Sequence, residues 1–160
     1  MTERPKITLE LTKTDKIIEI SGFLTLAILW LLVAYNYADM PAIIPTHYNA
    51  LGEADGFGNN KSIFSLPVVA TVLFVGMTFL NKHPHIFNYS TSITIENAPQ
   101  QYANATKMIR FMKLSIVLIF SILTFKTMQS GVLGIWFLPT ILALTLIPTA
   151  FFVVKSLKMK

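Results

Sequence analysis

His47, Asn49, Glu53, Asp55 and Lys61 stand within one short stretch, ADMPAIIPTHYNALGEADGFGNNK over residues 38–61. Together they offer an imidazole, an amide, two carboxylates and an ammonium. Three kinds of chemistry fit that set. The first is a metal site. Glu53-x-Asp55-Gly56-x-Gly58-x-Asn60 resembles in part a calcium loop, with oxygen ligands at alternate positions and a glycine at the sharp turn. The terminal bidentate Glu is missing, however, and Lys61 stands where a ligand should. Zinc asks for more nitrogen or sulfur ligands than one His supplies. The expectation is therefore no metal and no cofactor. In the second, His47 is a general base beside Glu53 or Asp55, although the sequence identifies neither a nucleophile nor a substrate pocket for it. In the third, the His, Asn and Asp groups hold the loop's own backbone, as Asn and Asp do routinely, and Lys61 pairs with Glu53 or Asp55.

The third reading is compatible with a preformed surface for an external ligand. The candidate contacts are then His47, Asn49, Glu53, Asp55 and Lys61 for polar groups, with Tyr48 and Phe57 as apolar anchors. Pro45, Gly52, Gly56 and Gly58 shape the turns. Ile43, Ile44, Tyr48, Leu51 and Phe57 let the loop fold back as an ordered cap. A loop of this length in a small protein is normally functional or disordered, and these anchors argue against disorder.

The elements that position the loop are membrane helices. The chain has 160 residues, of which 53% are apolar and 13% charged, against about 25% charged in globular proteins. Mean hydropathy is +0.58. There is no Cys, so disulfide and thiol chemistry are excluded. Four apolar runs meet the length of about 20 residues that a spanning helix needs: residues 17–37, 63–80, 108–128 and 132–154. Ser62 is placed to cap the second, with Pro67 in its first turn. Arg110 and Lys113 enter the third with stems in lipid and heads snorkelling to the interface. Pro148 predicts a kink in the fourth. The central turns offer only hydroxyls (Thr25, Thr71, Ser115, Ser121, Thr145), each expected to bond its own i−4 carbonyl. An ion-driven pump keeps an ionisable group there, so the expectation is not a proton- or sodium-driven transporter by itself. The first span reads as retained rather than as a cleaved signal.

The fold class is thus all-α: a four-helix integral membrane protein with an ordered outer loop, 38–61, between helices one and two. With the N-terminus inside, eleven of the thirteen Lys and Arg fall on the cytoplasmic side and only Lys61 and Lys126 outside, which sets both termini in the cytoplasm. The net charge of +5 is then topology and attraction to anionic lipid, with no nucleic-acid partner. In the inner loop, 81–107, His83-Pro84-His85 reads as a turn. Ser92 to Ile95 alternates as a short extended segment, and Glu96 or Asn97 caps a helix with Pro99 in its first turn. That helix continues through Tyr102, Ala105 and Ile109 into the third span.

Met40-Pro41, then Ile44-Pro45-Thr46-His47-Tyr48-Asn49, then Gly52, Asp55-Gly56, Gly58 and Lys61, resembles the signature of a bacterial membrane domain of unknown function. That domain is similar to the N-terminal part of SdpI-type proteins, which protect producers of a secreted antimicrobial peptide. Phe87-Asn88-Tyr89, Ile93-Thr94, Glu96-Asn97-Ala98 and Gln101-Tyr102 resemble a recurring feature of its short stand-alone members. Two departures stand out: one extra residue precedes Lys61, and the further membrane helices of full immunity proteins do not follow here. The resemblance implies a multi-pass protein of the bacterial cytoplasmic membrane. It is expected to be a non-enzymatic sensor or immunity-like protein that meets a secreted peptide or envelope component through the outer loop. The alternatives are a small metal- or His-dependent membrane enzyme, a transport accessory subunit, and a homo-oligomer or partner in a larger membrane assembly.

Overall fold

The computed structural model describes residues 4–159. Four helices carry the fold: α1 (Lys13–Asn36), α2 (Ser65–Leu80), α3 (Ala98–Met128) and α4 (Phe137–Lys158). Each belongs to a helical stretch long and apolar enough to cross a membrane. They run alternately up and down, so α1–α2 and α3–α4 connect at one end, and the start of α1 and the end of α4 lie at the other. α1 starts sharply because Thr12 and Asp15 close a capping box, the Thr12 hydroxyl accepting from Asp15 N–H and the Asp15 carboxylate from Thr12 N–H. α3 begins after Asn97 with Pro99 in its first turn and runs unbroken to Met128, as the sequence predicts. Asn97 reaches backward to accept from Thr94 N–H at 2.9 Å instead of capping forward.

α3 is the central post, with α1, α2 and α4 laid against it. The mid-bundle core is Leu26, Leu29, Ala70, Phe74 and Val117. Gly22 opens room for the Phe74 ring, since a Cβ there would stand 2.8 Å from Phe74 Cε2. Outward the helices present Leu24, Leu31, Val72, Val75, Leu146 and Ile147, all exposed. Apolar side chains facing away from a small core are what lipid, and not water, stabilises. The chain is a multi-pass membrane protein. The hydroxyls behave as anticipated at Thr25, Thr71, Ser121 and Thr145, each donating to its i−4 carbonyl.

Several expectations are corrected. The fold is mainly helical with four candidate spans, as expected, and within it the connection after α1 carries a two-stranded antiparallel hairpin, β1 (Ile43–Tyr48) and β2 (Ala54–Asn59), where the sequence predicts only an ordered loop. The second helix starts at Ser65 and not Ile63. A 3-10 turn over Asn60–Phe64 precedes it, and Ser62 bonds the Asn59 carbonyl at 2.7 Å instead of capping α2. The fourth helix starts at Phe137 and not Val132, because Ser130 and Gly134 take positive φ (49° and 81°) and break any helical path. Arg110 and Lys113 do not snorkel. They are 7% and 2% exposed and face Asp15 and Glu19 on α1. Two buried cations are stabilised by the two carboxylates across the helix pair, and Lys113 Nζ also sits 4.3 Å above the Phe74 ring.

Candidate functional site

The hairpin caps the end of the bundle where α1, α2 and α3 meet. Ile44 is fully buried there against Val33, Ile63 and Met128, and Tyr48 extends its hydroxyl to within 3.3 Å of Thr127 Oγ1 and 3.4 Å of the Gly131 carbonyl. Two of the expected apolar anchors, Ile44 and Tyr48, are therefore anchors of the fold. Ile43, Leu51 and Phe57 are not: they are 59%, 54% and 62% exposed.

The polar groups divide by role. Asn49 makes the turn, its Oδ1 accepting from Leu51 N–H and Glu53 N–H at 2.9 and 3.0 Å while its Nδ2 donates to Glu53 Oε2 at 2.9 Å. This is the self-bonding of an Asx turn. His47 faces Asp55 across the two strands with Nδ1 and Oδ1 2.5 Å apart. Of the two carboxylates the sequence offered to His47, the structure selects Asp55 and gives Glu53 to Asn49. Lys61 pairs with neither acid; its backbone N–H donates to Asn59 Oδ1 at 2.9 Å. The local register explains two glycines. A Cβ on Gly56 would stand 2.9 Å from His47 Cβ, and one on Gly58 would stand 2.9 Å from Thr46 Cγ2. Irregular pairing on either side of His47 turns its ring outward, where the side chain is 71% exposed.

Beneath the hairpin lies a cavity of about 540 Å³, within the size range of small-molecule sites. Thr46, His47 and Asn49 line its rim with Ser62 and Ser65, and Leu66, Leu123, Phe137, Leu138 and Ile141 form its wall. Sequence reasoning missed that wall. Three elements distant in sequence supply it, so no local pattern announces it. Asp55 fixes Nδ1 of His47 and leaves Nε2 without a protein partner among the described residues. The arrangement offers a polar rim and an apolar interior, which is the chemistry of binding an amphipathic molecule. Among the described residues no three His, Asp or Glu side chains converge as a metal would require, and β2 spreads Asp55, Phe57 and Asn59 along an extended strand instead of around an ion.

At the opposite end His83-Pro84-His85 forms a 3-10 turn with the His rings 5.9 Å apart, edge to face. Arg4 donates to the carbonyls of His85 and Phe87 and lies over the Tyr89 ring.

Residues 24–71 match a domain of unknown function, DUF1648. The matched stretch comprises the second half of α1, the hairpin and the first turns of α2. An uncharacterised protein of Archaeoglobus fulgidus is 33% identical over 86 residues, covering 49% of this chain and 47% of that protein. The chain thus spans about half the length of this curated relative. No solved structure matches. The chain is similar, over residues 24–71, to a domain of unknown function.

Proposed function

We propose that this protein is a non-enzymatic membrane receptor or immunity-like protein that takes an amphipathic external molecule, a secreted peptide or envelope component, into the cavity beneath the hairpin. The observation that carries this reading is the cavity itself: a polar rim built on β1 above an apolar wall from α3 and α4. His47 Nε2 is the polar contact, oriented by Asp55, and Phe137, Leu138 and Ile141 receive the apolar part. The charge asymmetry supports an orientation with the hairpin outside and both termini in the cytoplasm, in a cytoplasmic membrane. The likeness of Ile44-Pro45-Thr46-His47-Tyr48-Asn49 and the following glycines to SdpI-type proteins supports protection or sensing as the outcome of binding. A deletion strain of the source organism grown in spent medium from its parent tests the reading. Killing of the deletion, rescued by wild type and not by His47→Ala, is the expected result. Equal growth of all three strains contradicts protection.

The His47–Asp55 pair also favours a second reading, in which His47 acts as a general base in a small membrane enzyme. That reading requires turnover of an added amphipathic ester or peptide with a pH dependence in the range where imidazole titrates. A flat pH response sinks it.

A further inference from the structure

At the end of the bundle where α1 starts and α4 ends, a cavity of about 390 Å³ is lined by Ile7 to Leu9 and Leu11, Glu19 of α1, Thr78, Asn81 and Lys82 at the end of α2, and Arg110 of α3. It is remote from the hairpin and independent of the reading given to it. Among the described residues three buried polar atoms here make no hydrogen bond: Asn81 Oδ1, and Glu19 Oε2 and Arg110 Nε, which face each other as a loose ion pair at 3.7 Å. Arg110 is 7% exposed. Buried groups without a hydrogen bond are rare because each costs about 1–3 kcal/mol, and the bonds left unmade on these three side chains leave a place for an occupant.

The other polar atoms of Glu19 and Asn81 are already bonded. Glu19 Oε1 is bonded by Lys113 Nζ, which also donates to Thr78 Oγ1 at 2.7 Å. Asn81 Nδ2 donates to the Thr106 carbonyl at 3.2 Å. Arg110 approaches Glu19 Oε2 and Asp15 Oδ1 only at 3.7 and 3.8 Å, beyond hydrogen-bond length. Glu19 and Asn81 therefore cannot turn away without breaking a bond already made. What remains is two acceptors and a guanidinium donor around one space. The cluster is also unbalanced, since Lys107, Arg110 and Lys113 face only Asp15 and Glu19, and Lys82 at the mouth adds another cation.

We propose that this cavity binds a zwitterionic group bearing a primary ammonium and a phosphate, as a phosphoethanolamine lipid head presents. The ammonium has three N–H donors for Glu19 Oε2 and Asn81 Oδ1. The phosphate accepts from Arg110 and Lys82 and offsets the surplus positive charge. The site lies at the end of the spanning helices, at the depth of lipid head groups. A phosphocholine head carries the same charges without any ammonium N–H, and so separates hydrogen bonding from charge.

The full chain is reconstituted in vesicles of equimolar phosphatidylethanolamine, phosphatidylcholine and phosphatidylglycerol, and retained lipid is read by native mass spectrometry. Phosphatidylethanolamine is retained about tenfold or more over the other two, the factor of roughly one hydrogen bond to a charged group. Asn81→Leu lowers its ratio to phosphatidylcholine severalfold, the bond to Glu19 keeping it above one, with the helical circular dichroism unchanged. Lys82→Gln, at an exposed position, lowers retention of both phosphate zwitterions while keeping that ratio. Equal retention of the ethanolamine and choline lipids by wild type, or preference for phosphatidylglycerol, overturns the proposal. Free O-phosphoethanolamine added to the detergent-solubilised protein separates the sources. Thermal stabilisation by it assigns the site to a soluble zwitterion, and stabilisation by the lipid alone assigns it to the head group. No stabilisation by either overturns the site.

Discussion

Gly52 and Gly134 meet backbone against backbone, both at positive φ (76° and 81°), with the Leu133 N–H donating to the Gly52 carbonyl at 2.9 Å. The tip of the hairpin is thereby tied to the connection between α3 and α4. A Cβ on Gly52 would stand 2.6 Å from the Gly134 backbone nitrogen and oxygen, so the junction admits no side chain. The two glycines differ in one respect: Gly134 has open space where its own Cβ would go.

That difference is a prediction. Gly134→Ala meets only the left-handed backbone cost of about 1–2 kcal/mol. Gly52→Ala meets the same cost plus a backbone clash, and destabilises by more than about 2 kcal/mol. Denaturant titration in detergent micelles orders the two variants. Equal losses would show that the tip is not docked.

Glu19 and Lys113 form the innermost pair of the charge cluster between α1 and α3. Removing one partner strands the other, so Lys113→Met and Glu19→Gln each cost about 3–5 kcal/mol. Replacing both with apolar residues of similar volume recovers most of that loss. A double-mutant cycle measured in micelles checks this, and additive losses contradict the pairing.

Tyr48→Phe removes the hydroxyl that reaches Thr127 and Gly131, at a cost of about 0.5–1.5 kcal/mol. It leaves the His47–Asp55 rim in place. Ligand response is therefore expected to survive Tyr48→Phe and to be lost in His47→Ala and Asp55→Ala, with all three inserted normally. A survival assay alongside membrane-fraction immunoblotting separates docking of the cap from recognition.

Tyr89 gives the protein an alkaline limit. Burial, helped by nearby Tyr102 and opposed by Arg4, pushes its phenol above the ordinary tyrosine range. The folded state therefore holds the proton more tightly than the unfolded state. That contribution is complete below pH about 10 and is lost as the pH climbs toward the raised value. Tyr89→Phe flattens the decline in melting temperature above pH 10; an unchanged slope assigns the decline to another group.

The four spans and the long third helix were legible because apolar runs and flanking charges are local signals. The hairpin was not. β2 reads Ala-Asp-Gly-Phe-Gly-Asn, poor in strand formers, and pairs because Gly56 and Gly58 accept the close approach of His47 and Thr46. That is a cross-strand fact and not a propensity. The His47–Asp55 contact lay among the pairings the sequence allowed, while the cavity wall from Leu123, Phe137, Leu138 and Ile141 required the tertiary fold. Arg110 and Lys113 were misplaced for the same reason: their partners Asp15 and Glu19 lie about ninety residues away. A cation at a helix end looks alike whether it faces lipid head groups or a carboxylate.

The central claim is that the cavity beneath the hairpin takes an external molecule held at His47. Benzoylphenylalanine placed at position 137, on the cavity wall, and at position 72, on the lipid-facing surface, tests it in cells grown in spent medium. The account predicts a discrete adduct at 137, absent at 72, absent in fresh medium and lost with His47→Ala. Identical adducts at both positions, independent of medium and of His47, would contradict it.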